Sequence, residues 1–488
     1  MNKKISLKYL GYLLVIEGAF MIPALIIALV GGEAGSVRGF LVAIGVLLVI
    51  GTPLLKIRTQ NTTLYAKDGF FIVAMSWIAL SLFGAIPFIV SGAIPSFVDA
   101  FFETVSGFTT TGASILSDIE SLPRSVLYWR SFTHWLGGMG VLVFIMAIVP
   151  KSDKGGASLH ILRAESTGPA VGKLVPKMRS TARILYTIYI SMTVLQTILL
   201  LVGGMPFFDA LVTAFGTAGT GGFAIKNTSI AAYNSYYIQA VIAVFMLLFA
   251  INFNMYYLIL TREVRSVFKD TEFKVFLGVV FASVLVIAIN IYQTQQALCD
   301  TFFSSLHHSF FQVTSVISTT GFSTVDFNQW PTLSKMILFA LMFVGACAGS
   351  TGGGIKVSRI IIFFKSIARE IKKLVHPNSV KLSRMNGKVI PSSIEHSVNA
   401  YLVAYCLISI VSVLLLSFDG QDFETTVSAV VASINNIGPG FGLVGPLGNF
   451  SVFSAFGKLV LCADMLIGRL EIFPMLILFS PTLWRRTK

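Results

Sequence analysis

Four short segments ending in glycine carry the most suggestive chemistry in this chain. They are Ser106-Gly107-Phe108-Thr109-Thr110-Thr111-Gly112, Gly219-Thr220-Gly221-Gly222, Ser318-Thr319-Thr320-Gly321 and the looser Asn435-Asn436-Ile437-Gly438. Glycine reaches backbone angles that other residues resist, which lets peptide carbonyls turn towards a common axis. Rings of carbonyls can replace the hydration shell of a monovalent cation. Hydroxyls at Thr110, Thr220 and Thr319 would add oxygen ligands. The closing glycines recur at intervals of 110, 99 and 117 residues, longer than the units of about 20 to 50 residues that build solenoids and propellers. Four large related units are implied. Asp99, Asp209, His308 and Thr425 each stand 13 residues before their glycine, and the stretch after each is helix-compatible. Each unit therefore reads as long helix, short helix, extended loop, long helix.

The elements that must position these segments belong in a bilayer. The 488 residues are 55% hydrophobic and only 12% charged, with a mean hydropathy of +0.81, far above the range of water-soluble domains. Apolar runs near the span length of about 20 residues fall at 9–30, 37–55, 69–93, 125–149, 182–203, 234–261, 273–293, 333–366, 394–417 and 451–481. That makes about ten transmembrane helices, two leading and then four pairs. The segments near 95–115, 206–225, 298–323 and 421–442 are too short or too polar to cross, which fits re-entrant loops. The N-terminal run from Tyr9 to Val30 is too long for the apolar part of a signal peptide and reads as a retained first helix.

The net charge of +14 does not point to nucleic acid, because the basic residues lie in short connections between apolar runs. Lys and Arg concentrate in cytoplasmic loops. Placing the N-terminus inside collects Lys56, Arg58, Lys67, the run from Lys151 to Arg183, Arg262, Arg265, Lys269, Lys274, the run from Lys356 to Lys388 and Arg485, Arg486 and Lys488 on one side. The other side holds Arg38, Arg124, Arg130, Lys226, Lys335 and Lys458. All four glycine loops then enter from outside. The connections at about 150–182 and 367–393 are too small for a catalytic or nucleotide-binding domain.

A second glycine cluster, Gly345-Ala346-Cys347-Ala348-Gly349-Ser350-Thr351-Gly352-Gly353-Gly354, interrupts the second long helix of the third unit. Each glycine inside a helix costs about 1 kcal/mol relative to alanine, so a flexible intramembrane loop is expected. Its spacing is not that of a phosphate-binding loop; close helix packing is the alternative. Arg469 lies within the last span, where insertion costs about 2.5–3.5 kcal/mol. It must face the interior or an aqueous path, or form an ion pair with Glu471 or Asp464. The four cysteines suggest buried thiols, and His134, His307 and His308 suggest structural roles. No set of groups for an intramembrane enzyme is present.

On these loops, the glycine cluster and Arg469, the chain resembles the Trk/Ktr/HKT potassium transporters over nearly its whole length, most closely the bacterial TrkH branch. The resemblance implies an all-α membrane protein with four M1-P-M2 units pseudo-fourfold around one pore, at 67–180, 181–270, 271–390 and 391–488, behind two leading helices in 1–66. It implies K⁺ at a filter formed by Thr110, Thr111, Gly112, Thr220, Gly221, Gly222, Thr319, Thr320, Gly321, Asn436, Ile437 and Gly438. It also implies a gate at Gly345, Gly349, Gly352, Gly353 and Gly354, with Arg469 as an electrostatic barrier. The expected function is K⁺ uptake through a channel-like pore in the cell inner membrane, by a multi-pass protein that is not an enzyme; the alternative is a Na⁺- or H⁺-coupled symporter. The resemblance further implies a homodimer and a cytosolic TrkA-type ring that carries the nucleotide, with no cofactor on this chain.

Overall fold

The structure, a computed structural model, describes residues 3–58, 66–140, 178–294, 301–377 and 382–481. The basic residues Lys151, Lys154, Arg163, Lys173, Lys177, Arg485, Arg486 and Lys488, and Cys299, lie outside them. Among the described residues, six helices are long and apolar enough to cross a membrane, and a seventh is counted if one bent pair is taken as a single span. The six are the leading pair and the first long helix of each following unit. The leading pair is α1 (Lys3–Phe20) running on into α2 (Ile22–Val30), and then α3 (Ala34–Leu55). The first unit opens with α4 (Ala66–Gly84) and α5 (Ile86–Ser91). The first long helices of the other units are α8 (Met178–Val202), α13 (Thr271–Thr294) and α17 (Ser392–Leu416). Exposed Val, Leu, Ile and Phe along their outer faces are what lipid contact selects.

The second long helices behave differently. They are α7 (Arg124–Gly138), α10 (Tyr236–Ala250), α15 (Thr332–Val344) and α19 (Ala455–Arg469), of 15, 15, 13 and 15 residues. At 1.5 Å per residue each is about 20 Å long, short of a full crossing. α7 ends at Gly138, close to the edge of the described residues, and the other three break within the protein. After α10 the chain turns by 92° into α11 (Phe253–Leu260), so the run at 234–261 is not one straight helix. After α15 no helix resumes until α16 (Val357–Val375), and after α19 the chain passes through Glu471 and Ile472, both at positive φ, before the short α20 (Phe473–Leu476). Sequence reasoning expected only the third of these breaks, because only there do glycines crowd.

Between the long helices lie the short ones: α6 (Phe97–Phe108), α9 (Phe207–Gly219), α14 (Phe302–Ile317) and α18 (Phe423–Ile434). Side chains of Ser96, Thr301 and Asp422 accept hydrogen bonds from Asp99, Ser304 and Thr425 N–H and so start three of them, the usual remedy for unsatisfied amides at a helix start. The third is 16 residues long against 12, 13 and 12 for the others, so His307 and His308 sit within it rather than opening it.

The units close into a ring through contacts between each second helix and the next unit's short helix. Arg124 lies 5.8 Å from the Phe208 ring centroid, Gln239 meets His307 at 2.8 Å, Lys335 pairs with Glu424 at 3.2 Å, and Lys458 pairs with Asp99 at 2.5 Å. The last contact joins the fourth unit to the first, and Phe450 N–H adds a 2.8 Å bond to the Ser114 carbonyl. Below the units, Asn386-Gly387 turns a two-stranded hairpin of Arg384–Met385 with Lys388–Val389, a hairpin signal that the sequence reading passed over. Cys347 and Cys462 are buried, whereas Cys406 is exposed.

The two ion pairs of the ring differ in solvation. The Lys458 side chain is 10% exposed and that of Glu424 is 51% exposed. Asp99→Asn, which strands a nearly buried ammonium, is expected to destabilise the detergent-solubilised protein by about 1–3 kcal/mol. Glu424→Gln should cost at most about 1 kcal/mol. Thermal unfolding of the two variants side by side checks the order.

Candidate functional site

Each short helix ends in the same hydrogen-bonded cap. Thr110, Thr220, Thr319 and Asn436 take left-handed φ values of 56, 55, 60 and 55°. Their N–H groups bond the carbonyls of Gly107, Thr217, Val316 and Ser433 at 3.0–3.1 Å. The next N–H, of Thr111, Gly221, Thr320 and Ile437, bonds the carbonyl five residues back at 2.9 Å in every case. This double bond pattern around a left-handed residue is the Schellman ending, which normally takes glycine or asparagine. A β-branched threonine there is strained, and three of the four loops hold one. The fourth loop, least similar in sequence, has the same geometry with Asn436.

Two residues after each strained position stands a glycine, also at positive φ: Gly112, Gly222, Gly321 and Gly438 at 82, 74, 83 and 98°. Around the ring each touches the next loop. A methyl group on Gly112 would collide with the Gly221 carbonyl oxygen, on Gly222 with that of Thr320, and on Gly321 with that of Ile437; on Gly438 it would lie 2.8 Å from that of Thr111. The four loops thus meet around one axis. Their glycines line a single pocket with Ser114, Lys226, Ser323 and Asn449. At its rim Glu120 pairs with Lys226 at 3.0 Å; that hydrogen bond and the Asn227 N–H hold the Glu120 carboxyl below the usual carboxylate range, so the rim keeps this negative charge into mildly acidic conditions.

The second loop has an extra pair of glycines for a reason outside itself. A side chain on Gly221 would run into the His134 ring, and one on Gly219 into the His134 carbonyl. His134 on α7 is fully buried, stacks on Phe223 with centroids 4.1 Å apart and has no hydrogen-bond partner on either ring nitrogen among the described residues. Gly222 is therefore the counterpart of Gly112 and Gly321, and Gly221 that of Thr111 and Thr320.

Directly beneath lies the segment from Gly345 to Lys356. Gly353 N–H donates to the Thr319 hydroxyl at 2.6 Å and Gly354 N–H to the Asn435 carbonyl at 3.1 Å; side chains on Gly352 and Gly353 would strike the Ser318 and Asn435 carbonyls. Gly349 O accepts from Phe253 N–H at 3.0 Å, and Cys347 N–H donates to the Ala250 carbonyl at 3.0 Å, tying the segment to the bend between α10 and α11. Arg469 reaches it from the end of α19. Its guanidinium donates to the carbonyls of Thr351 and Gly138, both at 2.9 Å, and to that of Gly137. Of the acids considered as its partners, Glu471 pairs with Arg359 and Asp464 accepts from Ser412 at 2.6 Å.

Three charged groups at this level were given no site role by the sequence, which counted Lys356 and Arg359 among the cytoplasmic basic residues; all three are buried. Glu272, on the first turn of α13, accepts from Ala348 N–H at 2.7 Å and Ser358 N–H at 3.1 Å, gripping both ends of the segment. Lys356, at φ 81° and fully buried, donates to the Gly352 carbonyl. The Arg359 guanidinium lies 4.1 Å from the Tyr401 ring centroid. Only the density of basic residues after Gly354 hinted at any of them.

The model of one family of cation transport proteins, TrkH, matches residues 37–486. The chain belongs to the TrkH family. Within that family it is 38% identical to the Trk system potassium uptake protein TrkH of Salmonella typhimurium, covering 98% of both chains. It is 34% identical to the Trk system potassium uptake protein TrkG of Escherichia coli K12, covering 97% of both. The crystal structure of the potassium transporter TrkH from Vibrio parahaemolyticus superimposes with a TM-score of 0.89 at 33% identity, covering 99% of this chain and 100% of that one. TrkH is a family of multi-pass membrane transporters, not enzymes.

The collision with His134 predicts the behaviour of a double variant. Gly221→Ala alone is expected to overpack the second loop at a cost of about 1–3 kcal/mol. Adding His134→Ala should return part of that loss. Monodispersity and thermal unfolding of the single and double variants measure the coupling.

Proposed function

We propose that the chain is a potassium uptake pathway in which backbone carbonyls of the four loops select K⁺ and the segment below them, with Arg469, restricts its passage. The observation that carries this reading is the ring of four identically capped loops, each glycine in contact with the next. The proposed ligands are the carbonyls and hydroxyls of Thr110, Thr111, Gly112, Thr220, Gly221, Gly222, Thr319, Thr320, Gly321, Asn436, Ile437 and Gly438. Four short helices end at these loops, directing the negative ends of their dipoles at a cation on the axis. K⁺ is the substrate the named relatives share, and an inside-negative potential would draw it inward.

The segment holding Gly345, Gly349, Gly352, Gly353 and Gly354 is the proposed gate. It touches the underside of the third and fourth loops, and Arg469 places a positive charge beside it. A cation leaving the loops inward would meet both. Lifting the segment requires breaking a set of hydrogen bonds to α10, α11, α13 and α19 rather than one.

The relatives are named as proteins of a Trk system, which supports further components in a membrane setting. We infer a homodimer and a cytosolic nucleotide-binding ring of the TrkA type at the inner membrane, the nucleotide lying on the ring. The basic, partly apolar helix α16, with Phe364, Ile371 and Leu374 exposed, offers such partners a surface on the cytoplasmic side. Co-purification of the full-length chain with such a ring tests this.

The decisive experiment is K⁺ and Na⁺ flux into liposomes containing the purified protein. Wild type is expected to favour K⁺, and Gly112→Ser, which adds a side chain against the Gly221 carbonyl, to erode the preference. Arg469→Gln is expected to raise K⁺ flux severalfold by removing the positive charge. Equal K⁺ and Na⁺ flux in wild type would overturn the filter reading.

A further inference from the structure

A buried ion pair stands behind the first two loops, at the boundary between the first and second units. Glu103 on α6 and Arg130 on α7 meet at 2.5 Å with side chains 0% and 2% exposed. Glu103 also accepts from the Ser114 hydroxyl at 3.0 Å and from Ile115 N–H at 3.1 Å, so it holds the first loop just beyond Gly112. Arg130 donates to the Ala224 carbonyl at 2.8 Å, and its guanidinium lies 3.6 Å from the Phe223 ring centroid. It thereby holds the second loop just beyond Gly222. One pair grips two adjacent loops on their outward side.

The arrangement occurs once among the described residues. Glu103 stands nine residues before its glycine; the same places in the other units hold Thr213, Gln312 and Ala429. Arg130 is the seventh residue of its helix, and the counterparts are Ile242, Leu338 and Leu461. Only Gln312 attempts a comparable bond, to the Val325 carbonyl at 3.5 Å. A buried ion pair is a poor way to gain stability, since desolvation consumes most of its attraction. Its value lies in directional, charge-assisted hydrogen bonds that fix geometry.

We propose that Glu103 and Arg130 are positioning residues for ion selectivity, a brace that fixes the spacing of the Gly112 and Gly222 loops across the boundary of the first two units. The inference rests on the reading of the loops as a filter. A carbonyl ring discriminates between K⁺ and Na⁺ through the number and field of its oxygens, and a slack boundary would let those oxygens close in on the smaller ion. The brace acts through the loops and does not touch the ion.

The test compares Glu103→Gln, Ser114→Ala and Gly112→Ser with wild type in liposomes, reading the ratio of K⁺ to Na⁺ flux, with size-exclusion and thermal unfolding to establish folding. Glu103→Gln keeps the shape and weakens the charge-assisted bonds; the ratio is expected to fall about tenfold, as for a weakened hydrogen bond to a charged group. Ser114→Ala removes one bond to Glu103 and should shift the ratio the same way by less. If both variants fold and keep the wild-type ratio while Gly112→Ser erodes it, the brace is overturned and the filter stands. Should Gly112→Ser also leave the ratio unchanged, the filter reading falls and the brace with it. If Glu103→Gln does not fold, Ser114→Ala decides alone, and an unchanged ratio overturns the proposal.

Discussion

Backbone that is not helical at membrane depth must find hydrogen-bond partners inside the protein, and this single requirement organises the molecule. Four short helices stop inside the packed protein, and each would leave carbonyls and amides unmet. The Schellman cap satisfies them locally, but only by forcing Thr110, Thr220, Thr319 and Asn436 into the left-handed region. That strain persists because every neighbouring contact reinforces it: each closing glycine is pressed against the next loop so closely that a side chain has no room. The ring cannot relax one loop without moving its neighbour.

The same requirement explains what lies below. The end of α7 leaves the carbonyls of Gly137 and Gly138 for outside donors, and the segment after α15 presents that of Thr351. An arginine inside the membrane is costly, yet Arg469 donates to all three carbonyls. Two liabilities, a buried cation and unmatched acceptors, offset each other. The result joins the first, third and fourth units under the proposed filter. Glu272 does the complementary task for donors, accepting the amides of Ala348 and Ser358. The proposed gate is thus held by opposite charges approaching from different units.

The fourfold plan is broken in ways that matter. The third short helix carries an extra turn, so His307 faces Gln239 of the preceding unit. Lys458 and Asp99 close the ring by a nearly buried pair, whereas Arg124 and Phe208 meet only loosely. The Glu103–Arg130 pair serves one boundary alone. Asn436 donates to the Thr111 hydroxyl at 3.0 Å and to the Met465 carbonyl at 2.9 Å, which links the fourth loop to the first in place of the hydroxyl pairs Thr109–Thr111 and Ser318–Thr320.

Composition, apolar run length and charge placement were enough to read a multi-pass helical protein with four repeated units, since these depend on transfer from water and on local backbone preference. The glycines at 112 and 321 and the glycine-rich break after Val344 were legible for the same reason: glycine's conformational freedom is written into the residue itself. The 13-residue spacing from Asp209 also put Gly222 in register, but the reason for Gly219 and Gly221 was not legible, because they are glycine on account of His134, a residue of another unit. The fourth loop was legible only as a looser copy, since asparagine reaches the left-handed cap without the threonine signature. Nor did any local signal mark the breaks at Ile251 and Ile472 or the pairing of Glu103 with Arg130. Those depend on which side chains and carbonyls the packed units bring together, and that proximity exists only once the four units have closed around one axis.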